Sequence, residues 1–470
     1  MKTLSMALRN LLRNRRRSLT TLLAMIIGLI TILVFGGYRG NTLYSMQTGY
    51  VQLHGHLQIQ HEDYFLYGSG NPAAYGISDY QTIIDAIKND AELAAMVTVV
   101  TPKLQLGGIA GNFAAGVSHN VFGSGIVVEE QNQMRSWDDY DSAAYNPKFD
   151  LAGTPQNSVL IGNGVARMLQ LCAPLKVRDC PQPKITTHAS SVSNSTSNEH
   201  DAPSDINALS DLERHAETKK ATTSIEMLAA SLHGAPNVAG LNVVKAVNWG
   251  FKEYDDTVVV MHLAQAQKLL FAGEKPQVTA IQIQLKHTAQ MPAATKRLAH
   301  LLNTTFKARP LRVITFQELA PAYQQTIEFF DSMFSFIATL VGVIVLFTVG
   351  NTMSMAVVER TTEIGTLRAI GQRRGGVRQL FVIEGALLGF TGAFLGVLCA
   401  VLVSYLVNHS GLSWTPPNYV YPYPVKVRIW GDFPLIICSV IGIMLVAILS
   451  AWWPARRASK MLIVDALRHV

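Results

Sequence analysis

Charged side chains are scarce in this sequence. Asp, Glu, Lys and Arg make up 15% of its 470 residues, whereas roughly a quarter is usual in soluble globular proteins. Four cysteines are too few for a disulfide-stapled scaffold, and a hydrophobic content of 49% excludes a chain that is mainly disordered. The sequence also contains no Gly-Lys dipeptide, which excludes a phosphate-binding loop of the G-x-x-x-x-G-K-[ST] type.

The hydrophobic residues are concentrated in four long runs. A helix that spans a bilayer needs about 20 predominantly apolar residues, and residues 20–38, 329–358, 380–407 and 433–453 meet this requirement. The first run has no clean small-residue cleavage site, so we interpret it as an uncleaved anchor and not as a signal peptide. The last run ends in Trp452-Trp453-Pro454, which predicts an interfacial aromatic belt followed by a helix stop.

The distribution of charge predicts the topology. Residues 1–19, 359–379 and 455–470 together carry 15 basic and 3 acidic residues, whereas residues 41–328 carry 21 basic and 26 acidic residues. The positive-inside rule therefore places both termini and the 359–379 loop in the cytoplasm. The net charge of +7 is explained by topology, and no nucleic-acid partner is expected.

The predicted fold class is an integral membrane protein with four transmembrane α-helices and a large α+β periplasmic (extracytoplasmic) domain between helices 1 and 2. The predicted segments, in chain order, are a cytoplasmic amphipathic helix (1–19), the first span (20–40), the periplasmic domain (41–328), the second span with an outer stalk (329–358), a cytoplasmic loop (359–379), the third span (380–408), an external loop (409–432), the fourth span (433–454) and a cytoplasmic tail (455–470).

Within the periplasmic domain, residues 51–60 alternate apolar and polar side chains, which predicts a strand with His54 and His56 on a solvated face. A metal site at these histidines is the less favoured interpretation, because no fourth ligand accompanies them. Residues 179–239 are polar and rich in serine, which predicts a disordered insertion with at most a weak helix at 224–232. Cys172 and Cys180 flank its start, and a disulfide between them is possible in an oxidising periplasm.

The 359–379 loop carries the most specific pattern. Ile364, Leu367 and Ile370 recur every three residues and would line one face of a short helix that ends at Gly371. A short helix tethered between two spans has nothing of its own to bury this face against, so we expect it to dock into a groove on a cytoplasmic partner, with Glu363 and Arg368 at the rim. The alternative is a basic topology anchor whose apolar face rests on lipid headgroups.

The third apolar run contains a stripe of small residues, among them Gly385, Gly389, Gly392 and Gly396. Their spacing places them on one helix face, which predicts close packing against another helix. Four spans form at most a small bundle, so we also expect the chain to associate with a second membrane chain.

The segment ERTTEIGTLRAIG (359–371) resembles the coupling-helix signature of the FtsX/MacB-like permeases, the type VII ABC transporters, which include the LolC/LolE-like lipoprotein-release permeases. The segments ALRNLLRN (7–14), PARRA (454–458) and DALR (465–468) are similar to the two ends of that family's membrane domain. IGNGVA (161–166) and YDDTVVVM (254–261) are similar to elements of its periplasmic domain. The resemblance covers all four apolar runs and is patchy in between.

This resemblance implies a non-catalytic permease subunit that works with a separate ABC ATPase subunit and a second permease chain, as a homodimer or a heterodimer. ATP and Mg²⁺ would be bound by the ATPase, and this chain would bind no cofactor and no metal. MacB carries its ATPase at its own N-terminus, and the absence of a phosphate-binding loop here departs from that arrangement. The residues that would couple to the ATPase are Glu363, Ile364, Gly365, Leu367, Arg368, Ile370 and Gly371.

The implied function is mechanotransmission from the ATPase to the periplasmic domain, for extraction or export of a lipoprotein, peptide or drug. The implied further partners are a periplasmic adaptor or lipoprotein carrier and membrane lipid, and the implied location is the inner membrane of a Gram-negative bacterium. The alternative is an FtsX-like signalling subunit that regulates a periplasmic enzyme without transport.

Overall fold

The computed structural model describes residues 15–68, 70–141, 147–178, 223–415 and 422–461, together with residues 6, 7, 9, 10 and 13. The chain divides into two compact units, each described here by itself. The membrane unit comprises Met1–Gln47, Pro321–Trp414 and Pro422–Val470, and the sheet unit comprises Thr48–Ala320 and Thr415–Tyr421.

The α-helices are, in chain order, α1 (Arg15–His54), α2 (Tyr64–Tyr67), α3 (Tyr80–Asn89), α4 (Ala91–Met96), α5 (Val128–Arg135), α6 (Asn163–Met168), α7 (Cys172–Leu175), α8 (Lys252–Thr257), α9 (Leu263–Phe271), α10 (Met291–Thr305), α11 (Phe316–Leu319), α12 (Pro321–Glu359), α13 (Thr361–Ala369), α14 (Arg374–His409) and α15 (Phe433–Lys460). The strands are β1 (Leu57–His61), β2 (Ile77–Ser78), β3 (Val97–Asn112), β4 (Val117–Ile126), β5 (Ser158–Gly162), β6 (Ser224–Ala230), β7 (Pro236–Val247), β8 (Val258–His262), β9 (Gln277–Val278), β10 (Ala280–Leu285), β11 (Leu311–Thr315), β12 (Ser413–Trp414) and β13 (Tyr423–Pro424).

Within the described part of the chain, four helices are long and apolar enough to cross a membrane, namely α1, α12, α14 and α15. This confirms the four predicted spans and the position of a mixed helix-and-sheet domain between the first and the second. The helices α1 and α12 contain 40 and 39 residues. At 1.5 Å per residue each is about 60 Å long, roughly twice the thickness of a hydrocarbon core. Both helices are therefore longer than is needed to cross the bilayer once.

The predicted helix stop at Pro454 is wrong, because α15 continues through this residue to Lys460. A proline inside a helix removes one backbone hydrogen bond. Here Ala455 and Ala458, on the following turn, are fully buried beside Val357 and Phe381. We attribute the continuation of the helix to this packing.

The small-residue stripe of α14 packs against two helices of the same chain. A Cβ atom added at Gly385 would lie 2.5 Å from Cβ of Ala451 on α15, and one added at Gly389 would lie 3.1 Å from Cβ of Ala447. Further along α14, the stripe contacts α1. Added Cβ atoms would lie 2.9 Å from Met25 at Gly392 and 2.9 Å from Leu29 at Gly396. The stripe thus gives close helix packing inside the membrane unit, where an added Cβ would require the neighbouring helix or its side chains to shift.

The sheet unit is built on a nine-stranded mixed sheet with the strand order β11-β1-β10-β3-β4-β8-β5-β7-β6. The long strand β3 also pairs with β6, so the six strands β3, β4, β8, β5, β7 and β6 form a closed ring. The pairs β4–β8 and β5–β7 are parallel, and the other pairings of the sheet are antiparallel. Helices α3, α9 and α10 contribute buried residues to the core that this sheet forms.

The strand predicted at 51–60 begins later than expected, since α1 extends to His54 and β1 begins at Leu57. The predicted solvated position of His56 is also wrong. Its side chain is fully buried, and its Nδ1 accepts a hydrogen bond from the Leu285 backbone N–H at 3.0 Å. The alternation of apolar and polar residues predicted that the polar side chains face solvent. A polar side chain can also be buried when it is hydrogen-bonded inside the domain, as His56 is here.

The insertion predicted at 179–239 ends earlier than expected. Residues 224–247 form the antiparallel hairpin of β6 and β7, which replaces the weak helix predicted at 224–232. Alternate residues of β6, beginning with Ile225 and Met227, are buried in the core, so this hairpin belongs to the folded domain. The remaining part of the insertion, residues 179–222, lies outside the described residues, as do most of the predicted amphipathic helix and residues 462–470 of the tail.

Cys172 is disulfide-bonded, and Cys180 lies outside the described residues, so the pairing of the two stays a prediction. Cys399 and Cys438 are free thiols on α14 and α15.

Candidate coupling site

The short helix α13 forms where the sequence predicts one, between the second and third spans. Glu363 stands in its first turn and Arg368 in its last, an arrangement that complements the helix dipole at both ends. The helix ends in a Schellman arrangement, in which the N–H of Gly371 donates to the carbonyl of Arg368 at 3.1 Å and the N–H of Gln372 donates to that of Leu367 at 3.0 Å.

Gly371 is the residue that allows this helix end. Its φ angle of +103° lies in the region that side-chain-bearing residues rarely adopt. The predicted role of Gly371 as the helix stop is therefore what the geometry shows.

Ile364 does not present its side chain to a partner. It is 3% exposed and packs with Val357 of α12, with Val377 and Phe381 of α14, and with the alanines that follow Pro454 in α15. The expectation that α13 has nothing of its own to bury against is therefore wrong. The periodicity identified an apolar face correctly, but the ends of three spans of the same chain cover its first residue.

The apolar face changes character along α13. Gly365 is buried with Ile364, Leu367 is half-buried, and Ile370 at the end of the helix is 81% exposed. Glu363, on the solvent side, is exposed. The surface that α13 leaves accessible is therefore centred on Ile370 and the edge of Leu367.

A buried ion pair anchors the start of α13. Nη1 of Arg360, the residue that precedes the helix, donates to Oε1 of Glu384 on α14 at 2.9 Å. The same carboxylate oxygen accepts a hydrogen bond of 2.7 Å from the side-chain amide of Asn10, whose backbone carbonyl accepts from Nη2 of Arg360 at 3.3 Å. The two charged side chains are 7% and 2% exposed. This three-residue cluster (Asn10, Arg360 and Glu384, hereafter the anchor cluster) joins the N-terminal segment, α13 and α14.

Two further polar contacts hold α13 at its surface. Nη2 of Arg13 lies 2.6 Å from Oε1 of Glu363 in an exposed ion pair. Arg368 donates to the backbone carbonyl of Met461 at the end of α15. Glu363 and Arg368, which were predicted as rim residues for a partner, thus already have partners within the chain.

The sequence carried a signal for the anchor cluster that periodicity alone did not use. Glu384 is the only charged residue in the apolar run 380–407, and an ionisable residue inside a span is costly unless it is paired. Its partner could not be named from the sequence, because Arg360 is one of five basic residues in the adjoining loop.

Basic residues surround this site. Arg373, Arg374 and Arg378 at the start of α14 and Arg456, Arg457 and Lys460 at the end of α15 are all exposed. Among the residues that the structure describes, no group of three or more His, Cys, Asp or Glu side chains could hold a metal ion.

Comparison with known proteins shows which membrane proteins this chain is similar to. Residues 332–463 match the model of the FtsX-like permease C-terminal domain. The chain is 29% identical over 243 residues to the lipoprotein-releasing system transmembrane protein LolC of Neisseria meningitidis, an alignment that covers 50% of this chain and 56% of LolC. It is 36% identical over 143 residues to the ABC transporter permease YtrF of Bacillus subtilis, covering 28% of this chain and 30% of YtrF.

It is also 31% identical over 193 residues to the macrolide export ATP-binding/permease protein MacB of Neisseria gonorrhoeae, covering 40% of this chain and 27% of MacB. The chain therefore spans about half, or less, of the length of these relatives.

Among the described residues, four membrane-length helices and the membrane permeases found as relatives indicate a multi-pass membrane protein that is similar to ABC transporter permeases. The match to the FtsX-like permease C-terminal domain runs from α12 to α15. The helix α13 lies inside the matched region.

Proposed function

We propose that this chain is the permease subunit of an ABC transporter whose ATP is hydrolysed by a separate ATPase subunit, and that α13 receives the motion of that ATPase. The observation that supports this most is the position of α13. Its buried side is fixed to the ends of three spans through Ile364 and the anchor cluster, while Ile370 is left exposed at its tip. A helix held in this way would transmit a push to the spans and would not bend away from it.

In this proposal α1 and α12, which are long enough to extend beyond the bilayer, carry the motion outward by mechanotransmission. The chain itself binds neither ATP nor Mg²⁺, and it assembles with a second permease chain in the inner membrane. The substrate class is hydrophobic or lipid-linked, in line with the relative LolC, which is a lipoprotein-releasing system transmembrane protein. A periplasmic adaptor or lipoprotein carrier would receive it.

The experiment that tests the proposal is co-purification of the membrane-embedded chain with its ATPase after substitution at Ile370. Ile370→Asp should leave the fold unchanged, because the side chain is 81% exposed, and should weaken capture of the ATPase. Burying one such side chain in a partner groove is worth about 1.5–3 kcal/mol, so the loss should be tenfold or more. Leu367→Asp should act in the same direction, with some loss of stability because Leu367 is half-buried.

Ile370→Val is the matched control, since it keeps an apolar side chain at the same position and should retain capture. Normal ATPase capture and normal ATP-dependent transport by Ile370→Asp would refute the assignment of α13. Capture of the ATPase by the wild-type chain without any ATP-dependent movement of a hydrophobic or lipid-linked substrate would refute the transport function and favour signalling.

The proposed topology places both termini and α13 in the cytoplasm, as the charge distribution predicts. A periplasm-active reporter inserted at the exposed turn of the β6–β7 hairpin at Gly234, which has a φ angle of +79°, should be active, and the same reporter after the C-terminus should be silent. Activity of the C-terminal fusion would refute the four-span topology.

A further inference from the structure

A small cavity in the sheet unit is lined by two cationic side chains. The cavity has a volume of about 50 Å³, and its lining includes Lys103 of β3, Arg135 at the end of α5, and the aromatic rings of Phe149, Trp249 and Tyr254. A drug-sized or lipid ligand needs several hundred Å³, so this cavity is far too small for the transported substrate. It has room for a compact anion or a few water molecules.

The guanidinium of Arg135 is fixed but only partly satisfied. The residue is 5% exposed, and its Nη1 donates to the backbone carbonyl of Pro147. Its Cζ lies 3.7 Å from the ring centroid of Phe149 and 5.6 Å from that of Trp249, so cation–π contacts hold the group in place. Its Nε and Nη2 atoms are buried and have no hydrogen-bond partner.

These two nitrogens form one edge of the guanidinium plane. Their N–H bonds are parallel, which is the geometry that binds the two oxygens of a carboxylate. Nε1 of Trp249 is also buried without a hydrogen-bond partner, and Trp249 lines the same cavity. Three unused donors of the sheet unit therefore belong to side chains that surround one small space.

The charge in this cavity is not neutralised from within. Among the described residues, no carboxylate forms an ion pair with Arg135 or Lys103, and none contributes to the pKa of either. Burial and the nearby Arg135 charge lower the pKa of Lys103 to about 8, and burial lowers the pKa of Arg135 to about 9. The buried Arg135 and the half-buried Lys103 have no counter-charge among the described residues, which is costly, and an anion between them would reduce that cost.

We propose that this cavity is a binding site for a small carboxylate anion, which is held bidentately by Nε and Nη2 of Arg135 and further stabilised by Trp249 and Lys103. The site is independent of the coupling helix and of the transported substrate. It would tie β3 to the end of α5 whenever the anion is bound.

The test uses the full chain in detergent and sodium formate as the probe. The thermal unfolding midpoint is measured as formate increases, with ionic strength held constant by a salt of a bulky sulfonate. The wild-type midpoint should rise and saturate, because an anion that binds only the folded state stabilises it. Arg135→Lys keeps the charge but removes the parallel donors, so it should raise the half-saturating formate concentration at least tenfold.

Lys103→Met should raise the half-saturating formate concentration by several-fold. If Arg135→Lys does not fold, the response of Lys103→Met tests the site by itself. The control is Arg312→Gln, which removes a cation from an exposed ion pair on β11 and should leave the formate response unchanged. Equal stabilisation by chloride would overturn the assignment of a carboxylate. An absent response, or one that is the same in all variants, would overturn the site itself.

Discussion

Buried charge is treated in opposite ways in the two units of this chain. In the membrane unit, Arg360 and Glu384 are buried together and neutralise each other through a hydrogen bond of 2.9 Å. In the sheet unit, Arg135 and Lys103 line one cavity with no described carboxylate beside them. Removal of a charge from water costs several kcal/mol unless a partner offsets it. The comparison suggests that the first pair holds the structure together and that the second leaves a place for a ligand.

The largest expected effect follows from separation of the buried pair. Glu384→Leu leaves the Arg360 guanidinium buried without its counter-charge and should lower the free energy of unfolding by about 3–5 kcal/mol. The measurement is denaturant unfolding of the purified chain in detergent micelles. Arg360→Met combined with Glu384→Leu should recover most of this loss, because apolar residues can replace a buried ion pair at little cost.

A double variant as unstable as the sum of the two single variants would show that Arg360 and Glu384 act separately. That result would contradict the claim that Arg360 and Glu384 stabilise the membrane unit as a pair.

A second prediction concerns a buried group that avoids charge altogether. His56 of the sheet unit is fully buried, and its Nδ1 must be unprotonated to accept the Leu285 N–H at 3.0 Å. Burial lowers the pKa of His56 to about 4, although the nearby Asp139 acts in the opposite direction. Because this value lies below the ordinary pKa of about 6.5, the contribution to stability is present above pH ~6.5 and is lost as the pH falls towards about 4. Each pH unit in that window should remove about 1.4 kcal/mol.

The variant His56→Gln should therefore lose less stability than the wild type between pH 6.5 and 4, as measured by the difference in their unfolding midpoints at each pH. The control is His233→Gln, which changes an exposed histidine paired with Glu274. Parallel acid unfolding curves for the wild type and His56→Gln would contradict the assignment of a neutral buried imidazole.

The sequence predicted the membrane unit more completely than the sheet unit, for a physical reason. A bilayer imposes a minimum length of apolar helix and a charge rule at its two faces, and both can be seen in local sequence. The ring of strands in the sheet unit depends instead on pairings between distant segments. The contact of Gly108 with Ala229 across β3 and β6 is one example.

The candidate coupling site was predictable in part. Spacing predicted the short helix and Gly371 predicted its end, because both depend on neighbouring residues. Spacing could not show that the ends of three spans cover Ile364 while Ile370 stays exposed. Spacing also could not pair Glu384 with Arg360, because 24 residues separate them. A glutamate within a span does not indicate by local sequence which basic residue will be its partner.

The smallest expected effect belongs to the exposed ion pair between Arg13 of the N-terminal segment and Glu363 of α13. Arg13 and Glu363 lie 2.6 Å apart, but their side chains are 56% and 49% exposed, so water and salt compete with their attraction. A double-mutant cycle with Arg13→Gln and Glu363→Gln should give a coupling energy below about 1 kcal/mol. This energy should vanish in 1 M salt, where the screening length falls to roughly 3 Å. The same cycle on Arg360 and Glu384 should persist at high salt, because both side chains are almost fully buried. An exposed pair that matched the buried one in coupling energy and in resistance to salt would show that burial is not what separates them.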